Sequence, residues 1–337
     1  MAGYERHFDV GLEVKTQLAR MTGLQADDFA LIGNASEGIV LVLSSIDWRP
    51  GDNAVVSSLD FESGRFALAG LAGQGVTTRF VPTRGWLLDI SDLLDACDAR
   101  TRVVYLSLVN ALTGQRIDLK PISEALRQMD IILLVDASHA LGIVPVDGAL
   151  CDFLVSSTYK FLMGPQSGIL AWNRRRRPDF VPRAVGWNSA DPVEPWPVGC
   201  APRSPTDTSK VYEMPATGRR AELGNPNHLD VYLLRESLGF LGKIPADDLG
   251  RHVEKTTDRI AAGLVDLGYE VITPMNPAQR GANVCFASKS PRDFVDAAAR
   301  DGIYLWGGDG RVRASAAAFV EESDIDRLLD FAKPFRL

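Results

Sequence analysis

The chain has 337 residues with an ordinary globular composition, 46% hydrophobic and 23% charged, which is enough to bury one large core and a smaller one. Its 43 acidic and 36 basic residues give a net charge of −7, which argues against nucleic acid or anionic membrane as a general partner. No run is long enough to span a bilayer and no signal peptide opens at Met1; Cys97, Cys151, Cys200, Cys285 and the four histidines lack metal-ligand spacing, so a cytoplasmic protein with reduced thiols and no metal is expected.

Residues 10–21 have helix-forming composition with apolar spacing. A short strand near 29–31 runs into Asn34-Ala35-Ser36-Glu37-Gly38, and an apolar helix follows over 39–46. Small and hydroxyl residues at a helix start leave backbone N–H groups at the positive end of the helix dipole, which makes an anion site. They equally make a simple helix cap. Residues 53–58 form the next strand and lead to Leu59-Asp60-Phe61-Glu62-Ser63. Then come a strand at 78–81, a helix at 87–97, a buried strand at 102–107 and a crossover helix at 119–129.

The stretch 131–170 organises the rest. It opens with Ile131-Ile132-Leu133-Leu134-Val135, a continuous apolar run that predicts a strand buried on both faces of a parallel sheet. The run ends at Asp136, and ligands in open α/β sheets bind outside the carboxyl ends of strands. A second strand, 152–156, leads into Ser157-Thr158-Tyr159-Lys160. Gly164-Pro165 breaks the chain before a third strand at 168–172. A carboxylate, the histidine His139 and a lysine thus fall at strand ends. A lysine there can form a Schiff base with a carbonyl cofactor. A carboxylate facing a pyridine nitrogen keeps it protonated, so the ring can accept electrons.

Residues 183–215, rich in Pro, Ser, Asp and Trp, have the length and polarity of an active-site cover. Glu222-Leu223-Gly224-Asn225-Pro226-Asn227 precedes a helix at 229–241. From about 246 the pattern alternates: helix 251–267, strands 269–273 and 283–287, helix 291–301, strands 303–306 and 311–315, helix 322–332. That alternation predicts a small α+β unit.

D-A-S-H at 136–139, then S-S-T-Y-K at 156–160 with the following G-P, resembles in order and spacing the class V branch of the aminotransferase superfamily. These are pyridoxal 5′-phosphate enzymes of fold type I; cysteine desulfurases, selenocysteine lyases, kynureninases and isopenicillin N epimerase are among them. The resemblance runs from about residue 10 to the end. It implies an α/β fold, with a large three-layer α/β/α domain and mostly parallel sheet over 1–245 and a small C-terminal α+β domain over 246–337. Family members usually begin earlier, so the chain is expected to start inside a segment that helps build the small domain and the site's mouth.

Roles follow from the resemblance. Lys160 would carry the cofactor and, once displaced by an amino-acid substrate as an external aldimine, become the general base at Cα. Asp136 would pair with the pyridine nitrogen, and His139 would lie near the ring or its phenolic oxygen. Ser157 and Tyr159 would reach the phosphate, together with Ala35 (backbone) and Ser36 (hydroxyl and backbone), which match the family's N-x-T-E-G-like grip. Phe61 aligns with the ring that stacks over the cofactor, where desulfurases carry histidine. The 107–114 turn resembles S-x-V-x-x-x-T-G; its Asn110 either meets the phenolic oxygen or substrate carboxylate, or satisfies its own turn. The 222–227 motif resembles E-x-G-T-P-N, which crosses a dimer interface, so Asn225 would donate to the phosphate of a second copy in a homodimer. Arg313-Ala314-Ser315 resembles the closing R-x-S, whose arginine grips the substrate α-carboxylate bidentately; Arg311 competes for that role.

The expected reaction is Cα deprotonation of an α-amino acid, with a C–S or other Cβ lyase acting on a cysteine-like or conjugated amino acid favoured. Aminotransferase and epimerase are alternatives, and a non-catalytic cofactor-binding protein is a further one. Desulfurases place a nucleophilic cysteine shortly before the closing arginine. Residues 302–313 hold none, and Cys285 falls inside a predicted strand, so a persulfide-forming desulfurase is disfavoured. A nicotinamide oxidoreductase needs G-x-G-x-x-G after its first strand, an order that Gly70, Gly73 and Gly75 do not supply.

Overall fold

The computed structural model describes residues 2–192 and 212–335. Helix α1 (Ala2–Thr22) is followed by β1 (Phe29–Ile32), α2 (Ala35–Ser45), β2 (Asn53–Ser57), α3 (Glu62–Ala69) and β3 (Thr77–Val81). Next come α4 (Ile90–Asp95), β4 (Thr101–Ser107), α5 (Leu119–Gln128), β5 (Ile132–Asp136), β6 (Phe153–Ser157) and β7 (Gly168–Trp172). The short paired strands β8 (Asp191–Pro192) and β9 (Tyr212–Glu213) precede α6 (His228–Leu241). The chain closes with α7 (Ala246–Asp266), β10 (Asn283–Ala287), α8 (Pro291–Arg300), β11 (Trp306–Gly308), β12 (Arg311–Ser315) and α9 (Glu322–Ala332).

Seven strands form one sheet in the order β1-β7-β6-β5-β4-β2-β3. Strand β7 is antiparallel to both its neighbours, and the other pairings are parallel. Every strand but β7 therefore points the same way, and the start of β7 joins their carboxyl ends at one edge. The register fixes who meets there: Ser107 lies opposite Asp136, and Gly168 opposite both Ser157 and Ile32.

The continuous apolar strands divide their side chains between two cores, because successive residues point to opposite faces. Val104, Leu106, Leu133, Val135 and Leu154 pack with Val14, Leu18, Ile122, Leu126 and Leu234 from α1, α5 and α6. Val103, Tyr105, Leu134, Phe153 and Val155 pack with Ile39, Val42, Leu43 and Leu68 from α2 and α3. The result is the expected three-layer α/β/α architecture of fold type I. A separate core of Ile260, Leu264, Phe286, Phe294, Val312 and Leu328 lies between α7, α8, α9 and the antiparallel sheet β10-β12-β11.

Three expected elements come out differently, each for a visible reason. The helix expected over 87–97 is only α4, because Asp89 caps it through Ser91 N. Just before it, the Gln115 amide holds both the N–H and the C=O of Leu88, at 2.9 and 2.8 Å. Residues 269–273 make a single bridge to β10, Val271 opposite Phe286, instead of a strand. There the Thr273 hydroxyl replaces a backbone acceptor, taking Cys285 N at 2.7 Å and donating to Thr113 O at 2.6 Å. The strand expected at 303–306 begins only at Trp306, since Ile303 N still bonds Ala298 O in the turn that ends α8.

Candidate active site

Asp136 closes β5 and is buried. Tyr105 Oη donates to its Oδ2 at 3.0 Å, and Ser138 N donates to its Oδ1 at 2.8 Å. Tyr105 reaches across because β4 and β5 are parallel neighbours in register. Its ring packs so tightly on α3 that a Cβ at Gly64 would lie 2.2 Å from it, so only glycine fits there. Burial, then the charges of Asp136 and Asp60, push the Tyr105 hydroxyl well above its ordinary range and keep it a donor. Ser138 Oγ accepts from Ser157 N at 2.9 Å, which staples the ends of β5 and β6 together.

Lys160 follows β6 in a turn closed by Gly164 N on Thr158 O at 2.9 Å. Its Nζ lies 2.9 Å from His139 Nε2, 5.3 Å from the centre of the Phe61 ring and 5.8 Å from that of Tyr159. On its far side, His139 Nδ1 meets Asn283 Nδ2 at 3.0 Å. Burial lowers the pKa of Lys160; Asp136 opposes that shift and Arg313 adds to it. Burial likewise holds His139 well below the ordinary histidine range, helped by Lys160 and Arg313. Both side chains are thus driven toward their neutral forms, and a neutral lysine is a nucleophile.

A second corner has the chemistry of an anion site. Asn34 caps α2 by accepting from Glu37 N at 2.9 Å, and Glu37 Oε2 accepts from Gly33 N at 2.9 Å. Ala35 and Ser36 then occupy the first two helical positions, whose N–H groups have no intrahelical acceptor. Ser36 Oγ lies 2.8 Å from Ser63 Oγ at the start of α3. A Cβ at Gly168 would fall 2.4 Å from the backbone of Asn34, so the head of α2 abuts β7 opposite Ser157. Ala35, Ser36 and Ser157 accordingly share this corner, and Tyr159 is exposed beside Lys160.

The C-terminal sheet supplies the guanidiniums. Arg313 Nη1 donates to Ala111 O at 2.8 Å, its guanidinium lies 5.3 Å from the Trp306 ring centre, and its buried Nε has no partner. Arg311 is wedged between Trp306 and Trp86, with Asp309 at 3.5 Å. Of the two, Arg313 is the one whose charge is felt at both Lys160 and His139. Asn110 spends its amide on its own turn: Nδ2 donates to Leu59 O at 2.9 Å, and Oδ1 accepts from Leu112 N and Thr113 N at 2.8 and 3.2 Å. That turn is also tied to the C-terminal unit by Gly281 N on Gly114 O and Arg116 N on Gln279 O. Asn225 sits exposed in the turn before α6. Within that turn's motif, Glu222 accepts from Leu31 N at 2.8 Å and pairs with Lys15 at 2.6 Å, and Asn227 caps α6.

Several neighbours escape a reading of the sequence. Asp60 is buried beside Asp136, with Oδ1 accepting from Ser107 N at 3.0 Å and Oδ2 without a partner. Burial, with a smaller push from Asp136, raises its pKa to about 6, against hydrogen bonding from Ser107. A carboxylate just past a buried strand is the signal that singles out Asp136, and it finds Asp60 equally well. Tyr105, Ser138, Ser63 and Asn283 carry no such signal. Burial pushes the Cys97 and Cys285 thiols up to about 11 and Cys151 to about 12, so none is a poised nucleophile. Cys200 and most of the 183–215 segment lie outside the described residues. Among the described residues, no group of three or more His, Cys, Asp or Glu side chains could hold a metal, and no helix is long and apolar enough to cross a membrane.

Residues 9–328 match the family model for class V aminotransferases. The chain belongs to that family. Kynureninase of Eremothecium gossypii is 28% identical over 306 residues, 81% of this chain and 66% of that protein. A probable cysteine desulfurase of Methanothermobacter thermautotrophicus is 25% identical over 256 residues, 74% of this chain and 60% of that protein. The chain thus spans a little under two thirds of the length of these two curated relatives. In fold, it matches a solved cystine C–S lyase in complex with its product cysteine persulfide at a TM-score of 0.88, with 20% identity, over 100% of this chain and 89% of that one. Class V enzymes use pyridoxal 5′-phosphate, and the residues assembled here fit that group. An amine beside an aromatic ring, a buried carboxylate at a strand end, a helix start with hydroxyls and a guanidinium with an orphan Nε are the kinds of group that its carbonyl, ring nitrogen and phosphate and an amino acid bound to it would call for.

Proposed function

We propose that this class V enzyme is a lyase that takes the Cα proton from an α-amino acid and releases a group from Cβ, with sulfur as the favoured leaving atom. One observation carries the reading: Lys160 Nζ lies 2.9 Å from His139 Nε2 beside the Phe61 ring, near the carboxyl end of the central strand β5, where Asp136 lies. When bound, pyridoxal phosphate supplies a carbonyl that captures amines and a protonated ring that withdraws electrons from Cα. The chain's own residues do the rest. Ala35 N, Ser36, Ser157 and Tyr159 hold the phosphate, and Phe61 covers the ring. Asp136, fixed by Tyr105 and Ser138, keeps the ring nitrogen protonated. Arg313 holds the α-carboxylate with its fork. Lys160 carries the proton away from Cα as general base, and His139 stands beside it. The Asn110 amide stays with its turn. Buried Cys285 supports a reaction in which the Cβ–S bond breaks and sulfur departs on the released fragment rather than on a protein thiol.

We propose further that a second copy of the chain completes the site by bringing its own Asn225 to the phosphate, and that residue 246 begins a separate small domain. The deciding experiment is the absorbance spectrum of the purified chain with pyridoxal phosphate. A visible band that borohydride bleaches, with the label recovered on the Lys160 peptide and lost in Lys160→Ala, supports the reading. Pyruvate and ammonia released from cystine or cysteine conjugates support the lyase step. Keto acid formed only together with an aminated cofactor points instead to transamination, and no band with excess cofactor overturns the proposal.

A further inference from the structure

We infer that Asn283 is a positioning residue: its amide fixes the Nε2–H tautomer of His139, and through it holds Lys160 as a free amine. Asn283 begins β10, is fully buried and pairs in register with Ser315 of β12. On that rung the Ser315 hydroxyl donates to Asn283 Oδ1 at 2.9 Å, which leaves Nδ2 to face His139 Nδ1 at 3.0 Å. An amide nitrogen only donates, so His139 Nδ1 must accept. A neutral imidazole carries one proton, and that proton is then on Nε2. Nε2 lies 2.9 Å from Lys160 Nζ, and a hydrogen bond from Nε2–H needs a lone pair on Nζ. Only an uncharged amine has one. Were Lys160 an ammonium, it would need the Nε2 lone pair; the imidazole proton would then sit on Nδ1 and point at the Asn283 NH2, donor against donor.

The surroundings agree. Lys160 is faced by Asp136 at the end of β5, by Arg313 on β12, by His139, and by the rings of Phe61 and Tyr159. Asp136 favours the ammonium, while Arg313 and burial disfavour it. An oriented hydrogen bond from Nε2–H acts in the same direction as burial and Arg313. Asn283 lies 144 residues from His139 and belongs to the other sheet, so the state of the lysine depends on the C-terminal unit being docked. The same tautomer also leaves Nε2–H as a donor once Lys160 is engaged elsewhere.

The inference rests on Lys160 being the reactive amine of the proposed function, but it concerns the lysine before it bonds anything, so the two fail separately. Its test uses the full chain, labelled with 15N-histidine, with and without pyridoxal phosphate. Long-range 15N–1H correlations of His139, assigned by loss in His139→Gln, report which nitrogen carries the proton. The expected result is Nε2–H in the wild type and a proton on Nδ1 in Asn283→Asp, whose carboxylate accepts from it. Ser315→Ala, which changes an exposed serine, guards against a folding failure of Asn283→Asp and is expected to show both tautomers. In parallel, competitive acetylation of Lys160 across pH 6–10, read by peptide mass spectrometry on cofactor-free protein, is expected to show an inflection about one pH unit higher in Ser315→Ala, hence up to about tenfold less labelling at neutral pH. An Nδ1–H tautomer in the wild type overturns the inference, and so does an unchanged Nε2–H tautomer in Ser315→Ala with unchanged labelling. A wild type with the expected tautomer that binds no cofactor overturns the proposed function and leaves this inference standing.

Discussion

Asp136 and Arg313 both act on the charge of Lys160, but they are finished to different standards. Asp136 belongs to the large sheet, and each of its oxygens already holds a hydrogen bond, from Tyr105 and from Ser138. Arg313 belongs to the small sheet; one nitrogen donates to Ala111 O while its buried Nε has no partner. An unsatisfied buried donor costs about 1–3 kcal/mol. An incoming anion would satisfy it; Arg311 Nε on the same strand is buried without a partner as well. The large sheet therefore offers a completed support and the small sheet an incomplete grip. The first suits a resident group, and the second suits a substrate that comes and goes.

This contrast can be broken in four places, in falling order of effect. Asp136→Asn removes the support's charge and leaves a single oxygen to accept, so one of the bonds from Tyr105 and Ser138 is lost as well. Turnover is expected to fall by about 10²–10³-fold in steady-state kinetics, a loss typical of one oriented electrostatic group. Next is Asp60→Asn, which tests the unfinished carboxylate beside Asp136. A carboxylate whose folded pKa is raised from 3.8 to about 6 contributes stability that is fully present below 3.8 and lost as pH rises through 6. Wild type is thus expected to lose roughly 3 kcal/mol relative to Asp60→Asn between acid and alkaline limits, most of it between pH 4 and pH 8 in denaturant titrations. Equal pH slopes in the two proteins would remove Asp60 as a buried titrating group.

Arg313→Lys keeps the charge and loses the fork. A fall of about tenfold or more in kcat/KM, carried mainly by KM, is expected, with cofactor absorbance unchanged. If kcat falls instead, the arginine serves the reacting centre rather than the substrate's carboxylate. The smallest effect is expected from Tyr105→Phe, which deletes one bond to Asp136. About 1–2 kcal/mol of stability should go, measured by thermal unfolding, with binding of the cofactor weakened but retained.

The sheet and the strand-end groups were legible in the sequence because each rests on a local pattern. Ile131 to Val135 is a run that only a doubly covered strand accommodates, and Asp136, Lys160 and Arg313 follow or sit on such strands. That no helix forms ahead of α4 was not legible, since Gln115, far along the chain, holds Leu88 out of it. The bridge at Val271 hides for a similar reason: a threonine hydroxyl stands in for backbone. In the site, Asn110 shows the limit of motif reading, because its neighbours fix what its amide does. Tyr105 and Asn283 were invisible because their meaning lies in what they touch across strands, Asp136 in one case and His139 in the other. Asp60 is legible by the same strand-end signal as Asp136, three residues past β2 and next to Phe61.

The 110–116 turn has a mechanical side. It is bound to the C-terminal unit through Ala111 O, Thr113 O, Gly114 O and Arg116 N, and to the large sheet's rim through Asn110 on Leu59 O, two residues from Phe61. A strip fastened at both ends transmits displacement rather than absorbing it. Rocking of the small sheet would pull on the segment that carries Phe61, so displacements of Arg313 and of the ring beside Lys160 would be coupled, like jaws on a common pivot.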